Sequence, residues 1–244
     1  MYAFFKILKM EARLSLRDVA PVVTAVVLPT VIMVVLGAVP ALRRPDDVFG
    51  GQRFVDVFAP SLLVVTLVMA GLNGLTNALA GYRERGVLRR LSTTPVSPGA
   101  LLAAQLLIHL ALAACGAVLL VVVGRVLFGI PLPARPFVFA LAFLLGAASL
   151  FAVGLLIAAS APTTGTANGL SSLLGALVMF LGGVYLPRYL LPDVLVRVGD
   201  LTPPGVRTLQ DAWTGASPEL LPLAIMAAVA AAAGIAAARF FRWE

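Results

Sequence analysis

The sequence predicts an all-α integral membrane protein with six transmembrane helices. Of its 244 residues, 61% are hydrophobic and only 12% are charged, whereas soluble domains typically carry about 25% charged residues. The mean hydropathy is +1.02. Apolar runs long enough to cross a bilayer, about 20 residues each, recur six times along the chain.

The six predicted spans divide the chain into an amino-terminal segment, 1–19, and one membrane domain, 20–244. We place the spans at 20–42, 57–80, 98–124, 136–160, 167–186 and 218–238. A signal peptide is disfavoured, because charge continues to Asp18 and the following apolar run is too long for a signal-peptide core.

Basic residues predict the orientation of the chain. Six spans put both termini on one side of the membrane, and cytoplasmic loops are enriched in lysine and arginine. The amino-terminal segment and the first return loop decide the assignment, with four basic residues each: Lys6, Lys9, Arg13 and Arg17, then Arg83, Arg85, Arg89 and Arg90. We therefore expect both termini to be cytoplasmic. The high content of alanine, arginine and valine indicates a bacterial source, and hence a bacterial inner membrane.

The amino-terminal segment has the pattern of an interfacial helix. Its four basic residues fall on one helical stripe, and a second stripe is apolar: Phe4, Phe5, Leu8, Ala12 and Leu16. Such a helix can lie in the inner headgroup layer with its bases toward anionic lipid. It can serve as an orientation anchor or as a moving part.

The region 187–217, between spans five and six, predicts a broken external hairpin. It is too apolar for a simple loop and too short in apolar residues to span. Pro203-Pro204 divides it into two short helical pieces. We expect a partly embedded lid, because irregular backbone at membrane depth must be covered by protein.

A few polar residues inside the spans are candidates for a substrate path. They are Thr66, Asn73 and Asn77 on span two, and Gln105 and His109 on span three. Hydrogen bonding between helices is the alternative for all five. In span five, the spacing of Ser171 and Gly175 permits close helix approach, either within the chain or between two copies.

Several function classes lack their chemical groups in this sequence. No phosphate-binding loop of the form G-x-x-x-x-G-K-[ST] is present, and the two lysines follow no glycine-rich turn. All eleven acids fall outside the span centres, which disfavours a carrier driven by protons or sodium. His109 and Cys115 are six residues apart, and no catalytic or metal-binding set is apparent. Cofactors, metals and nucleic acid are not expected on this chain.

The charged segment 82–97, between spans two and three, predicts a docking helix over 83–91. Glu84, Leu88 and Leu91 share one face by spacings of four and three, and no base lies three or four residues from Glu84. Pro95 ends the element. A basic loop that only sets orientation is the alternative interpretation.

The same segment carries a resemblance to a known family. Permeases of type-2 ABC exporters have, after span two, a pattern close to R-E-R/E-x-G-T-L-x-R-L-x-x-T-P-V-S, and this chain has YRERGVLRRLSTTPVSP. The matching positions are Glu84, Gly86, Leu88, Leu91, Thr94, Pro95, Val96 and Ser97. Val87 replaces the usual threonine, and Ser61 replaces a frequent glycine after Pro60. The first two spans and the external hairpin are also similar.

The resemblance implies a permease subunit that pairs with a second permease copy, usually an identical one, on two ATPase subunits that hold ATP and Mg²⁺. It identifies 82–97 as the segment that couples to the ATPase, through Glu84, Arg85, Gly86, Leu88, Leu91 and Pro95. The implied cargo is a drug, natural product or lipid-like molecule. Export of a polysaccharide or glycolipid, and a carrier or immunity protein outside the ABC class, are the alternatives.

Overall fold

The structure, a computed structural model, describes residues 2–49, 51–87, 98–186, 188–217 and 219–240. Those residues form helices, turns and loops, with no β-strand among them. Six of the described helices are long and apolar enough to cross a membrane. The prediction of an all-α protein with six spans is therefore confirmed.

Nine helices account for most of the described chain. The amino-terminal helix α1 covers Tyr2–Arg17. The six membrane-crossing helices are α2 (Val19–Ala38), α3 (Phe54–Glu84), α4 (Pro98–Phe128), α5 (Pro136–Ser160), α6 (Thr164–Leu181) and α9 (Leu220–Phe240). Between α6 and α9 lie the two short helices α7 (Asp193–Leu201) and α8 (Val206–Thr214).

The two ends of the bundle are built differently. One end, which we call the α1 end, carries α1, the end of α3 and the α5–α6 turn. The opposite end carries the loops after α2 and α4 and the region with α7 and α8. Pro203-Pro204 lies in the break between α7 and α8, at the position that the sequence predicts for it. Helix α8 packs against α3 and α5.

Helix α3 forms the centre of the bundle. In the first half of α3, the residues Ala59–Leu67 form an unbroken buried run that the other spans cover. Many side chains on the outer surface of those spans are exposed. Small residues let them approach closely: a Cβ atom added to Gly154 of α5 would lie 2.7 Å from the backbone oxygen of Gly71. Close approach of this kind is how membrane helices gain packing energy.

Two spans contain π-helical segments. Val23–Val27 in α2 and Val68–Leu75 in α3 have the wider π turn, and the two segments contact each other. A π turn holds about one residue more than an α turn, so side chains beyond it are rotated relative to a continuous α-helix. This rotation changes which residues of α3 share a face.

The docking helix that the sequence predicts over 83–91 is not continuous. Helix α3 extends to Glu84, past the predicted end of span two, and a turn follows at Arg85 and Gly86. Gly86 has φ +66°, a left-handed conformation that glycine adopts without strain and that commonly ends a helix. Leu88, Leu91 and Pro95 lie outside the described residues.

We expect Gly116→Ala to destabilise the bundle. A Cβ atom at Gly116 would lie 2.6 Å from the Ala25 backbone oxygen and 2.9 Å from Thr66 Cγ2, which forces α2, α3 and α4 apart. Overpacking of this kind typically costs about 1–3 kcal/mol.

Gly234→Ala in α9 is the matched control, because nothing lies within 4 Å of its added Cβ and alanine favours a helix by about 1 kcal/mol over glycine. Thermal unfolding of the purified protein in detergent should give a lower midpoint for Gly116→Ala alone. Equal midpoints for the two variants would contradict this packing.

Candidate functional site

A polar cavity of about 540 Å³ lies at the α1 end, between α1, α2, α3 and α4. Four of the five residues that the sequence predicts for a substrate path line it: Asn73, Asn77, Gln105 and His109. The structure thus brings together two side chains from α3 and two from α4. Asn77 is exposed to the cavity and has no hydrogen-bond partner among the described residues.

Thr66, the fifth candidate, does not line the cavity. It is fully buried, its hydroxyl donates to the Leu62 backbone oxygen at 3.5 Å, and its methyl group faces Gly116. The π-helical segment Val68–Leu75 separates it from Asn77 and rotates the two onto different faces. The continuous α-helix assumed from the sequence placed them on one stripe.

Glu11 and Tyr82 join the cavity, and sequence reasoning missed both. Glu11 is only 5% exposed. Its Oε2 atom accepts from the Tyr82 hydroxyl at 2.6 Å and from Gln105 Nε2 at 2.8 Å. A signal was available, because Glu11 is the one acid in α1 and lies four residues after Ile7, which packs into the bundle.

His109 is fixed by its own helix and by α3. Its Nδ1 atom is 2.9 Å from the Gln105 backbone oxygen. An added Cβ at Gly74 would lie 3.0 Å from the His109 ring, so only glycine leaves room for the ring at that point of α3. The histidine therefore joins α4 to α3 and also borders the cavity.

Arg83, at the end of α3, binds the carboxyl end of α5. Its Nη1 atom donates to the backbone oxygens of Ala158, Ala159 and Ala161, at 3.0, 3.0 and 2.9 Å. The last carbonyls of a helix lack partners within the helix and carry partial negative charge. A guanidinium group donates hydrogen bonds to these carbonyl oxygens and carries the positive charge that complements their partial negative charge.

Glu84, the next residue, binds the amino end of α6. Its Oε2 atom accepts from the backbone N–H of Thr164, at 3.1 Å, and from the Thr164 hydroxyl. Its charge complements the positive end of the α6 dipole. The sequence shows no local partner for Glu84, and its partner proves to be 80 positions away in the same chain.

Together these bonds of Arg83 and Glu84 to residues 158–164 form what we call the turn contact. They attach the α5–α6 turn to the end of α3, at the first residues of the segment 82–97 that the sequence predicts to couple to an ATPase. Arg85 takes no part, since its Nε atom donates to the Gly81 backbone oxygen of its own helix.

The Ser171 and Gly175 pair faces the interior of the chain. A Cβ added at Gly175 would lie 2.9 Å from Val68 Cγ1 of α3, and Ser171 is fully buried, with no hydrogen-bond partner for its hydroxyl in the described part of the chain. The apolar residues Leu170, Leu173 and Leu177 of the same helix are exposed. Close approach at Gly175 therefore occurs within one chain.

Ion pairs hold the opposite end together. Asp200 of α7, largely buried, accepts from Arg188 and from Arg207 of α8, the latter at 3.1 Å. Arg207 also reaches Glu219, at 3.1 Å. The hydrogen bond to Asp200 raises the pKa of Arg207, and burial raises the pKa of Asp211 beside it. A second cavity of about 540 Å³ lies next to these pairs.

Residues 2–204 match the sequence pattern of the family described as ABC-2 type transporter. The chain belongs to this family. No curated protein and no solved structure matches the chain. The family is a membrane transport component whose ATP is hydrolysed by a partner, and it implies an ABC ATPase as that partner. No cluster of metal-binding side chains occurs in the residues that the structure describes.

We expect exchange of the two charges in this ABC-2 permease, Arg83→Glu with Glu84→Arg, to break the turn contact. The exchange puts an acid at the carboxyl end of α5 and a base at the amino end of α6, against both helix dipoles. The thermal midpoint of the purified protein should fall.

Arg85→Ala is the control, because this arginine bonds only within α3. The exchange keeps the number of basic residues, whereas Arg85→Ala lowers it. An unchanged thermal midpoint in the exchange variant would show that the turn contact is unimportant. If Arg85→Ala then lowers the membrane level or alters the orientation, the segment acts as an orientation signal.

Proposed function

We propose that the chain is the permease subunit of an ATP-driven exporter that moves a hydrophobic or amphipathic small molecule out of the cell. The polar cavity between α1, α2, α3 and α4 carries this proposal. Its volume of about 540 Å³ falls in the range of small-molecule sites, about 300–1,000 Å³. Apolar and polar side chains alternate in its wall, as an amphipathic cargo requires.

The position of the cavity fits entry from the inner leaflet. Basic residues of α1 and of the 82–97 segment favour the α1 end as the cytoplasmic end of a bacterial inner-membrane protein. The cavity begins at the junction of α1 and α2, where an interfacial helix meets the first span. Cargo dissolved in the headgroup layer then reaches Asn73 and Asn77 without crossing the hydrocarbon core.

The turn contact supports a route from the ATPase to the spans. The ATPase binds the 82–97 segment, in which Leu88, Leu91 and Pro95 remain predicted contacts. Because Arg83 and Glu84 hold the α5–α6 turn, a displacement of this segment carries α6 along with α3. Glu84 then acts inside the permease, while the ATPase contacts are left to Gly86 and the predicted contact residues that follow it.

Two copies of the chain with two ATPase subunits form the proposed transporter. The exposed leucines of α6, Leu170, Leu173 and Leu177, offer an apolar surface for the second copy. ATP and Mg²⁺ belong to the ATPase subunits. The helices α7 and α8 close the external end as a re-entrant lid, which their ion pairs hold in shape.

Cargo contact by Asn73 and Asn77 is tested by replacing each with alanine. The side chains lie in the cavity wall, and among the described residues the one hydrogen bond of the Asn73 side chain goes to Met69 of its own helix. Stimulation of ATP hydrolysis by cargo should therefore change in the reconstituted complex, while basal hydrolysis and the thermal midpoint stay near wild type.

Thr66→Val is the control variant, because Thr66 is buried outside the cavity. It should affect the thermal midpoint before it affects stimulation. If Asn73→Ala and Asn77→Ala change assembly or stability and leave stimulation intact, the cavity is not the cargo path.

A further inference from the structure

A carboxylate group borders the cavity, and one of its oxygens has no hydrogen-bond donor among the residues that the structure describes. Glu11 Oε2 receives both available donors, from Tyr82 and Gln105. Glu11 Oε1 has no donor among the described residues, although Glu11 is 95% covered by the protein and lines the cavity. Two fixed donors replace water on one side of the carboxylate and leave the other side for a ligand.

The charges around the cavity do not neutralise this group. The lining holds two carboxylates, Glu11 and Asp18, and one guanidinium, Arg85. Arg85 is directed to the Gly81 backbone oxygen and lies over the Tyr82 ring, 5.7 Å from its centroid. None of the ion pairs found among the described residues involves Glu11, and the described lining of the cavity has one more acid than base.

The rim of the cavity is suited to an amphiphile. Leu14, Pro21 and Met69 supply apolar wall, and Ser15 and Thr24 supply hydroxyl groups. Leu14 is also exposed on the outer side of α1. A molecule that lies in the headgroup layer with its charge toward water meets this rim first.

We propose that the cavity binds amphipathic organic cations and that Glu11 is their counter-ion. This inference rests on the proposed cargo path and adds the charge class of the cargo. A cationic head that enters the cavity takes the free position at Glu11 Oε1, while its apolar body lies against the Leu14 and Met69 side. An anion of the same size meets an unpaired carboxylate and is rejected.

A purely structural role for Glu11 leads to a different expectation for the charge preference of ligand binding. If the carboxylate serves only to attach α1 through Tyr82 and Gln105, its charge has no effect on which ligand binds. Gln at position 11 retains an oxygen that accepts from the same donors, so the attachment survives. The effect on ligand charge preference therefore separates the two roles.

The test is a binding measurement on the purified full chain in phosphatidylcholine nanodiscs. Zwitterionic lipid is chosen because an anionic surface would itself concentrate cations. The probes are tetraphenylphosphonium and tetraphenylborate, which match in size and differ in charge, with binding to empty nanodiscs subtracted. Wild type should bind the cation at least about tenfold more tightly than the anion, as expected for one charge-assisted contact.

Glu11→Gln should lose that preference with an unchanged thermal midpoint. Asp18→Asn is the matched control, since it removes the same charge from an exposed position of the lining and should retain most of the preference. Tyr82→Phe removes a donor but keeps the Glu11 charge, and should keep the preference too.

Equal binding of the two ions by wild type, or a Glu11→Gln variant that prefers the cation as wild type does, would overturn the counter-ion role. The proposed function has a separate readout in the complex with the ATPase. If Asn73→Ala and Asn77→Ala alter stimulation by neutral cargo while the cation preference is absent, the path stands and the charge selectivity is wrong.

Discussion

Helix α3 can lie at the centre of the bundle only because its neighbours present small residues where they cross it. Gly154 of α5, Gly175 of α6 and Gly116 of α4 each leave no space for a side chain against α3 or the adjoining α2. Both functional features of the α1 end, the cavity and the turn contact, include residues of α3. The cavity residues Asn73 and Asn77 lie in its second half, and the turn contact begins at its last two residues.

Several polar groups inside the bundle are paired across helices. The Thr76 hydroxyl of α3 donates to the Gly154 backbone oxygen at 3.1 Å, and Arg83 binds the exposed carbonyls at the end of α5. Such pairing is required because hydrocarbon offers no hydrogen bonds to an unsatisfied group. In the cavity, Asn77 and one oxygen of Glu11 have no hydrogen-bond partner in the described chain, and our proposals for the cargo rest on these two groups.

Periodicity and composition predict the parts of this structure that depend on local sequence. The six spans, the amino-terminal helix and the break at Pro203-Pro204 follow from apolar run length and proline position. Four cavity residues were found because polar side chains are rare in these spans. The grouping of Thr66 with them failed, because the π-helical segment of α3 has no signal in the hydrophobic pattern.

The spacing of residues along the sequence could not predict contacts between distant parts of the chain. Glu84 has no base within one helical turn, and nothing in the sequence indicates that Thr164 supplies its hydrogen bonds. The pairing of Glu11 with Tyr82 and Gln105 likewise joins three helices. In both cases an acid without a local partner was the only indication that a distant partner exists.

We propose that the end of α3 and the α5–α6 turn move together when ATP is hydrolysed. Ala80 of α3 and Ala161 of the turn pack in one buried cluster, so cysteines at these two positions can be cross-linked in a chain whose own Cys115 is replaced by alanine. If the two parts move together, the cross-linked permease, in complex with its ATPase, keeps cargo-stimulated ATP hydrolysis. Loss of stimulation on cross-linking, recovered on reduction, would show that the two parts must separate and would contradict it.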